Sequence, residues 1–426
     1  MSSRFRSVLF WSILAAAFIG PGTVTTAARA GSGYGMGLLW ALVFSILATV
    51  VLQEAAARIT LGAGQPLGEI IGRQGQSWNM ILFAVIALGC GAYQAGNLLG
   101  ALAGLQLLGD VSKWWLLLLG AIGAGILWTG NTTVITRSLA FIVALMGIVF
   151  CWVAFGADTA AIDWLTGLVP KVEEDATVLV IGLIGTTIVP YNLFLASGLS
   201  KGQSLQEMRF GLILAILIGG LITLAILLTG TMVKGEFSFA GLAEVLDAQL
   251  SQRGSLLLGL GLFTAGLSSA ITAPLAAAVT GKSLLGQGRS IWDFQGRNFR
   301  LTWGVVLLAG LVFALTDVKP VPAIIAAQAL NGLILPLVAV FLIRAVNDAE
   351  ILPQAYRNPL WLNVVSILIV GTTIFLGLNN IWSASGKVLA SLADIPLSTK
   401  LMINLSVSAL LSLWIFWKMP KNRTAD

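Results

Sequence analysis

The feature that most limits what this chain can fold into is a series of apolar runs, each about 20 residues long, that recurs along its whole length. Hydrophobic residues make up 57% of the sequence and charged residues only 10%. Soluble domains average about 25% charged residues, so this chain has too few charges to cover a water-facing surface. The pattern predicts a polytopic α-helical membrane protein, because a helix needs about 20 apolar residues to cross a bilayer.

The apolar runs predict about twelve membrane-spanning helices. The predicted spans are residues 9–29, 37–59, 78–108, 114–129, 133–157, 177–200, 209–233, 254–281, 301–316, 321–345, 360–379 and 400–418. Helix-breaking residues separate them, at Gly64-Gln65-Pro66, Gly130-Asn131, Pro353 and Pro396. No small-residue cleavage pattern follows the first run, so we interpret it as a helix of the mature protein.

The basic residues are unevenly divided between the predicted loops. With Arg4 and Arg6 on one side of the membrane, that side receives 16 of the 24 Lys and Arg residues. Positive residues accumulate in cytoplasmic loops, so we expect a cell-membrane protein with both termini in the cytoplasm. This topology accounts for the net charge of +6, and we expect the lipid bilayer rather than a nucleic acid as the partner.

The sequence is poor in the side chains that enzymes and metal centres use. It contains no histidine, and its two cysteines, Cys90 and Cys151, both lie in apolar runs. This composition favours neither a metal cluster nor a disulfide framework. No nucleophile and base pair can be assembled, so we expect neither an enzyme nor a resident cofactor.

Two of the predicted spans contain helix-breaking motifs. Gly20-Pro21-Gly22 interrupts the first span and Val189-Pro190-Tyr191 interrupts the sixth, five spans later. A single break is explained by a plain proline kink, which membrane helices tolerate. Two breaks at matching positions, both flanked by polar residues, are typical of an inverted-repeat transporter with its substrate site at the breaks.

Three motifs carry a resemblance to a known family. Span 10 contains Gln328-Ala329-Leu330-Asn331-Gly332, followed by Leu335-Pro336 and Asn347-Asp348. Span 2 and its loop contain Leu52-Gln53, Arg58 and Leu67-Gly68-Glu69, and span 8 contains the hydroxyl-rich stretch 265–272. Over nearly its whole length the chain resembles the NRAMP divalent-metal transporters.

The resemblance implies an all-α LeuT-type fold with a five-plus-five inverted repeat. The first repeat would cover residues 1–158 and the second residues 177–345. Two further helices and a cytoplasmic tail would follow in residues 346–426.

The chain departs from the family at the residues that bind metal and pass protons. Where the family has Asp-Pro-Gly-Asn, this sequence has Gly20-Pro21-Gly22-Thr23, and where it has Met-Pro-His, this sequence has Val189-Pro190-Tyr191. Gln94 and Asn97 align with a family Asp and Glu that are implicated in proton passage. The helix-breaking residues are retained while the acids and the thioether are lost.

We therefore predict a neutral, remodelled substrate site. A dehydrated divalent cation needs anionic ligands, whereas the amino-terminal ends of half-helices favour an anion or a neutral polar group. We interpret Glu54 as an i,i+4 ion pair with Arg58 at a helix end. The predicted substrate-binding residues are Gly20, Gly22, Thr23, Gln94, Asn97, Thr186, Thr187, Val189, Tyr191, Gln328 and Asn331.

Several alternatives remain open on the sequence alone. Thr25 and Thr26 are expected to bond the carbonyls of the preceding turn, and Tyr191 is equally well explained as a packed ring. Ser268, Ser269 and Thr272 resemble a sodium site of some LeuT-type transporters, but small hydroxyl residues also permit close helix packing.

For function, we predict alternating-access transport of a small polar or anionic solute. The first alternative is transport of a divalent metal cation such as Mn²⁺ or Mg²⁺, as in the family, with Mg²⁺ held through its waters. The second alternative is a membrane sensor that binds a solute without moving it.

Overall fold

The computed structural model describes residue 11 and residues 19–73, 75–130, 133–156, 164–171, 175–386 and 395–418, and these residues form helices and connecting loops without a strand. We number the helices of ten residues or more in chain order. They are α1 (Pro21–Tyr34), α2 (Leu39–Ala63), α3 (Gln76–Leu108), α4 (Trp115–Thr129), α5 (Thr133–Phe155), α6 (Thr177–Thr187), α7 (Pro190–Leu199), α8 (Leu205–Thr231), α9 (Phe239–Gln249), α10 (Gly254–Gly281), α11 (Arg297–Leu315), α12 (Pro320–Asn347), α13 (Leu360–Gly386) and α14 (Leu397–Trp417). Short helices also occur at Leu67–Ile71 and Trp164–Gly167.

The described helices agree with the predicted spans. Nine stretches of the described chain are long and apolar enough to cross a membrane. Two further predicted spans correspond to the shorter apolar helices Trp115–Thr129 and Val143–Phe155. The first predicted span corresponds to α1, and residues 12–18 before it lie outside the described residues.

The helix ends lie where the sequence predicts breaks. Gly64 and Gly130 follow α2 and α4 with φ values of 69° and 71°, a left-handed conformation that glycine adopts without strain. Pro396 directly precedes α14, and Pro353 precedes a short 3₁₀ turn. Proline has no N–H to donate, so it is tolerated at such positions.

Helix α9 lies between the predicted spans 209–233 and 254–281, where we predicted no helix. Ser238 caps it by accepting a hydrogen bond of 3.0 Å from the backbone N–H of Gly241. Near its end, hydrogen bonds from the Ser255 side chain and backbone N–H lower the pKa of the Asp247 carboxyl. These contacts connect α9 to the start of α10, outside the apolar spans.

The interrupted sixth span lies at the centre of the bundle. In the stretch Thr177–Gly198, which contains α6 and α7, 83% of the residues in the most apolar 18-residue part are buried, compared with at most 67% for the other apolar stretches of the described chain. Gly185 allows α12 to pack closely against α6, since a methyl group at Gly185 would lie 2.0 Å from the backbone oxygen of Gln328 on α12. Helices α13 and α14 pack on each other at the periphery, where only 33% and 22% of the residues in their most apolar parts are buried.

Candidate functional site

The structure has a helix start at the first predicted break and an interruption between two helices at the second. Gly20 is extended, with φ −99° and ψ 179°, and α1 begins at Pro21. Helix α6 ends at Thr187, Ile188 and Val189 leave the helical conformation, and α7 begins at Pro190. A proline in the first helical position has no N–H to leave unpaired, so it starts a helix readily.

The two breaks meet in the interior of the protein. The hydroxyl oxygens of Thr23 and Thr186 lie 3.0 Å apart and share a hydrogen bond. Thr186 is fully buried and Thr23 is 2% exposed. Two predicted site residues that are 163 positions apart in the chain are therefore in direct contact.

Gln328 of α12 contacts both broken helices. A methyl group at Gly22 would lie 2.1 Å from the side-chain nitrogen of Gln328, so this side chain lies directly against the first turn of α1. The backbone oxygen of Gln328 faces Gly185 of α6. Gln328 is fully buried, and neither atom of its side-chain amide has a hydrogen-bond partner in the described protein.

Tyr93 and Ser269 face the other side of the first break. A methyl group at Gly20 would lie 3.4 Å from the Ser269 hydroxyl oxygen and 3.6 Å from that of Tyr93. The rings of Tyr93 and Tyr191 pack edge to face with centroids 5.9 Å apart, so Tyr191 is a packed ring beside the breaks. We did not single out Tyr93 from the sequence, where the only signal was its position next to Gln94.

Three of the predicted amides lie where α3 meets neighbouring helices. The Gln94 side chain packs against Gly310 of α11, where a methyl group would lie 2.4 Å from its Cγ. The Asn331 side-chain oxygen would lie 2.8 Å from a methyl group at Gly89 of α3. Asn97 is fully buried, with its backbone oxygen against Gly266 of α10. These three residues lie at the contacts of α3 with its neighbours.

Two other hydroxyl groups close to the first break form hydrogen bonds within their own helix. Thr25 and Thr26 bond the Pro21 and Gly22 carbonyls at 2.7 and 2.8 Å, which confirms their predicted helix-internal role.

Thr187 also bonds within its own helix, to the Leu183 carbonyl at 3.0 Å. Of the three hydroxyl residues considered for sodium, Ser269 faces the break, Ser268 is half-buried, and Thr272 points its hydroxyl at the Ser269 carbonyl, 3.4 Å away. Val189 is non-helical and 1% exposed.

Buried amides without protein partners are concentrated on the helices around the breaks. Such groups are rare in native proteins, because each unpaired one costs about 1–3 kcal/mol. The side chains with both amide atoms unpaired in the described protein are Gln53, Gln94, Asn97, Asn192 and Gln328. Gln53 and Asn192 were outside the predicted binding set, although Gln53 belongs to the Leu52-Gln53 motif and Asn192 directly follows Tyr191. Together these groups offer uncharged donors and acceptors.

The buried acidic residue Glu54 is already neutralised. Glu54 accepts hydrogen bonds from Arg58 at 3.0 Å and from Arg209 of α8 at 2.8 Å. The first contact confirms the predicted ion pair, and the second was not predicted. Among the described residues, no group of three or more His, Cys, Asp or Glu side chains could hold a metal ion.

Comparisons with known proteins identify relatives over most of the chain. The family described as natural resistance-associated macrophage protein-like (Nramp) matches residues 12–383. The natural resistance-associated macrophage protein 2 homolog of Dictyostelium discoideum is 25% identical over 94% of this chain and 68% of its own. The divalent metal cation transporter MntH of Bacillus subtilis is 26% identical over 85% of this chain and 90% of its own.

Solved structures show the same fold. A crystal structure of a mutant of the Eremococcus coleocola manganese transporter has a TM-score of 0.71 at 20% identity, covering 96% of this chain and 92% of that one. Mhp1, a nucleobase-cation-symport-1 family transporter in a closed conformation with bromovinylhydantoin bound, has a TM-score of 0.54 at 15% identity, covering 97% and 93%. The described chain therefore has the LeuT-type transporter fold.

Proposed function

The chain belongs to the Nramp family of membrane transporters, and on that premise we propose that it carries a small polar or anionic solute through a neutral site at its two helix breaks. The substrate would be exposed to each side of the membrane in turn, as the fold allows. The proposed site includes Thr23 of α1, Thr186 of α6 and Gln328 of α12. Thr23 and Thr186 share a hydrogen bond, and Gln328 contacts both of their helices.

The observation that carries this proposal is the unpaired amide of Gln328. It is fully buried, it touches α1 and α6 at once, and neither amide atom has a partner in the described protein. A substrate with its own donors and acceptors would satisfy those atoms and recover their cost of about 1–3 kcal/mol each. A substrate bound here would therefore contact both broken helices.

The electrostatics of the site argue against a bare metal cation. Such a cation requires anionic oxygen ligands or soft donors, and the residues at the breaks are Gly20, Thr23, Thr186, Val189 and Tyr191. Helices α1 and α7 both begin at the breaks, and the amino-terminal end of a helix carries partial positive charge. An anionic or neutral polar group is the better match for this field.

A second candidate substrate is a divalent cation that keeps its water shell. Several relatives are named divalent metal cation transporters. Mg²⁺ gives up its waters reluctantly, and the amide oxygens of Gln328, Asn97 and Asn192 could accept hydrogen bonds from such waters. This candidate uses the same site with the same neutral residues.

The proposal extends to the membrane arrangement. The bias of basic residues supports both termini in the cytoplasm of a cell-membrane protein. The start of α1 at Pro21 and the matching interruption between α6 and α7 support inverted repeats over residues 1–158 and 177–345, with residues 346–426 as an addition. The substrate then passes between two similar halves.

Uptake into proteoliposomes tests the proposal. The probes are Mn²⁺, Mg²⁺, L-lactate, succinate and L-alanine, each compared with empty liposomes. We expect no Mn²⁺ uptake and saturable uptake of a carboxylate or zwitterion. Gln328→Leu should lower that uptake about tenfold or more, the equivalent of about 1.4 kcal/mol.

The matched control removes an amide elsewhere on the bundle. Gln106 lies on α3 but is exposed, so Gln106→Leu should leave uptake unchanged. Mg²⁺ uptake with the same dependence on Gln328 would favour the second candidate. Saturable Mn²⁺ uptake that disappears in Thr23→Ala would overturn the neutral-site proposal.

A further inference from the structure

The position of Gly20 leaves a small space at the start of α1. Gly20 has no side chain, and its missing methyl group would stand 3.4 Å from the Ser269 hydroxyl oxygen and 3.6 Å from the Tyr93 hydroxyl oxygen. Those are ordinary contact distances, so a side chain can be attached at residue 20 without displacing either hydroxyl. Two hydroxyl groups from two different helices, α3 and α10, border it.

The Tyr93 hydroxyl is held in place beside the Tyr191 hydroxyl, with which it interacts. Tyr93 is fully buried, and its oxygen makes no other hydrogen bond within the described protein. Its ring is fixed by the edge-to-face contact with Tyr191 at an interplanar angle of 80°. The Gly20 carbonyl already accepts a hydrogen bond of 3.1 Å from the Val24 N–H. The Tyr93 hydroxyl therefore retains an unused donor beside the break.

The field at this point favours an acceptor. Helix α1 is 14 residues long, and its N-cap residue, Gly20, supplies no side-chain cap. The first N–H groups of a helix point out of its amino-terminal end, and this end carries about half a positive charge. Anions bind at such ends, and hydrogen bonds from hydroxyl groups to charged oxygens are short and strong.

We propose that the Tyr93 and Ser269 hydroxyls, together with the first turn of α1 at Gly20, form a subsite that binds a carboxylate oxygen of the substrate. Both hydroxyls donate to that oxygen, and the helix end stabilises its charge. This inference rests on the proposed function, because it assigns one part of the same solute to one part of the same site.

The protein can be made to carry the test ligand itself. Gly20→Asp adds a Cβ at the position that faces both hydroxyls and attaches a carboxylate to it, and the extended backbone at residue 20 accepts any L-residue. Gly20→Asn supplies the same shape without the charge, and Gly20→Ala supplies the methyl group alone. We expect Gly20→Asp to unfold at a temperature at least about 2 °C above Gly20→Asn, measured by intrinsic fluorescence in detergent.

Double-variant cycles identify the donors. The gain of Gly20→Asp over Gly20→Asn should be lost when Tyr93→Phe is added, and reduced when Ser269→Ala is added. Tyr356→Phe is the control, because Tyr356 lies beside Gly62 at the end of α2, away from the break. The gain should survive that change. A gain that persists in Tyr93→Phe, or no gain over Gly20→Asn, overturns the proposal.

A second arm uses the wild-type chain and a free ligand. Potassium formate should raise the unfolding temperature relative to potassium chloride at equal ionic strength, and formamide should not. The formate effect should disappear in Tyr93→Phe. If formate acts equally on both chains, the subsite does not exist. Both arms measure stability alone, so their result is independent of whether any tested solute is transported.

Discussion

At the scale of single residues, the buried Glu54 pairs with two arginines. Its carboxylate receives Arg58 from its own helix and Arg209 from α8. Arg58 also donates to the Tyr356 carbonyl at 2.6 Å, which connects α2 to the segment between α12 and α13. The Arg58 side chain is only 2% exposed, so it depends on these partners for its charge.

Replacing Glu54 should therefore cost far more than replacing its outer partner. We expect Glu54→Gln to lower the free energy of unfolding by about 3–5 kcal/mol, because it leaves a buried guanidinium without a counter-ion. Arg209 is 44% exposed, so Arg209→Gln should cost about 1 kcal/mol or less. Denaturant titration in detergent compares the two. Equal losses for the two variants would show that the burial of Arg58 does not set the cost of removing its counter-ion.

Sequence reasoning succeeded for residues whose partners are near in the chain. The Thr25 and Thr26 hydroxyls and the Glu54 to Arg58 pair all bond within one helical turn, and periodicity predicts such contacts. Tyr93 and Arg209 were missed because their roles depend on helices that lie close only after folding. No local pattern carries that information.

At the scale of helices, the first break is held in place by close packing. Pro21 starts α1 directly against Gly100 of α3, where a methyl group would lie 2.1 Å from the proline Cβ. Pro21 and Gly100 together therefore fix the position at which α1 begins. The sequence predicted the break itself, since Gly-Pro-Gly cannot continue a helix, but it did not identify the surface that receives it.

Adding one methyl group to α3 tests this packing. Gly100→Ala should destabilise the protein by about 1–3 kcal/mol and lower solute uptake, because it displaces the start of α1. Gly91→Ala is the matched control on the same helix, since nothing lies within 4 Å of its Cβ position. It should be neutral or slightly stabilising. A harmless Gly100→Ala would mean that α1 is free to shift at the break.

Helix prediction failed where a helix is short and amphipathic. Helix α9 has 11 residues and includes Glu244 and Asp247, so it is below the length and hydropathy that predict a span. The long apolar helices were predicted to within a few residues at most ends, because glycine and proline fix those ends locally.

At the scale of the whole molecule, the chain keeps the fold of metal transporters but places neutral groups at the breaks. Gln94 and Asn97 cannot titrate, and the Glu54 carboxylate is held by two arginines. We therefore expect substrate uptake without acidification of the proteoliposome interior, measured with an enclosed pH-sensitive dye. A proton signal that follows the substrate concentration would show that another group carries protons.

We propose that the site at the paired breaks has lost its affinity for transition metals. Calorimetric titration of the purified protein with Mn²⁺ tests it most directly. For the wild-type chain we predict no saturable heat. For the combined variant Gly20→Asp, Thr23→Asn and Val189→Met we predict measurable binding, because it returns a carboxylate and a soft donor to a backbone that is already broken at the right place. A saturable micromolar isotherm for the wild-type protein that disappears in Thr23→Ala would contradict the account.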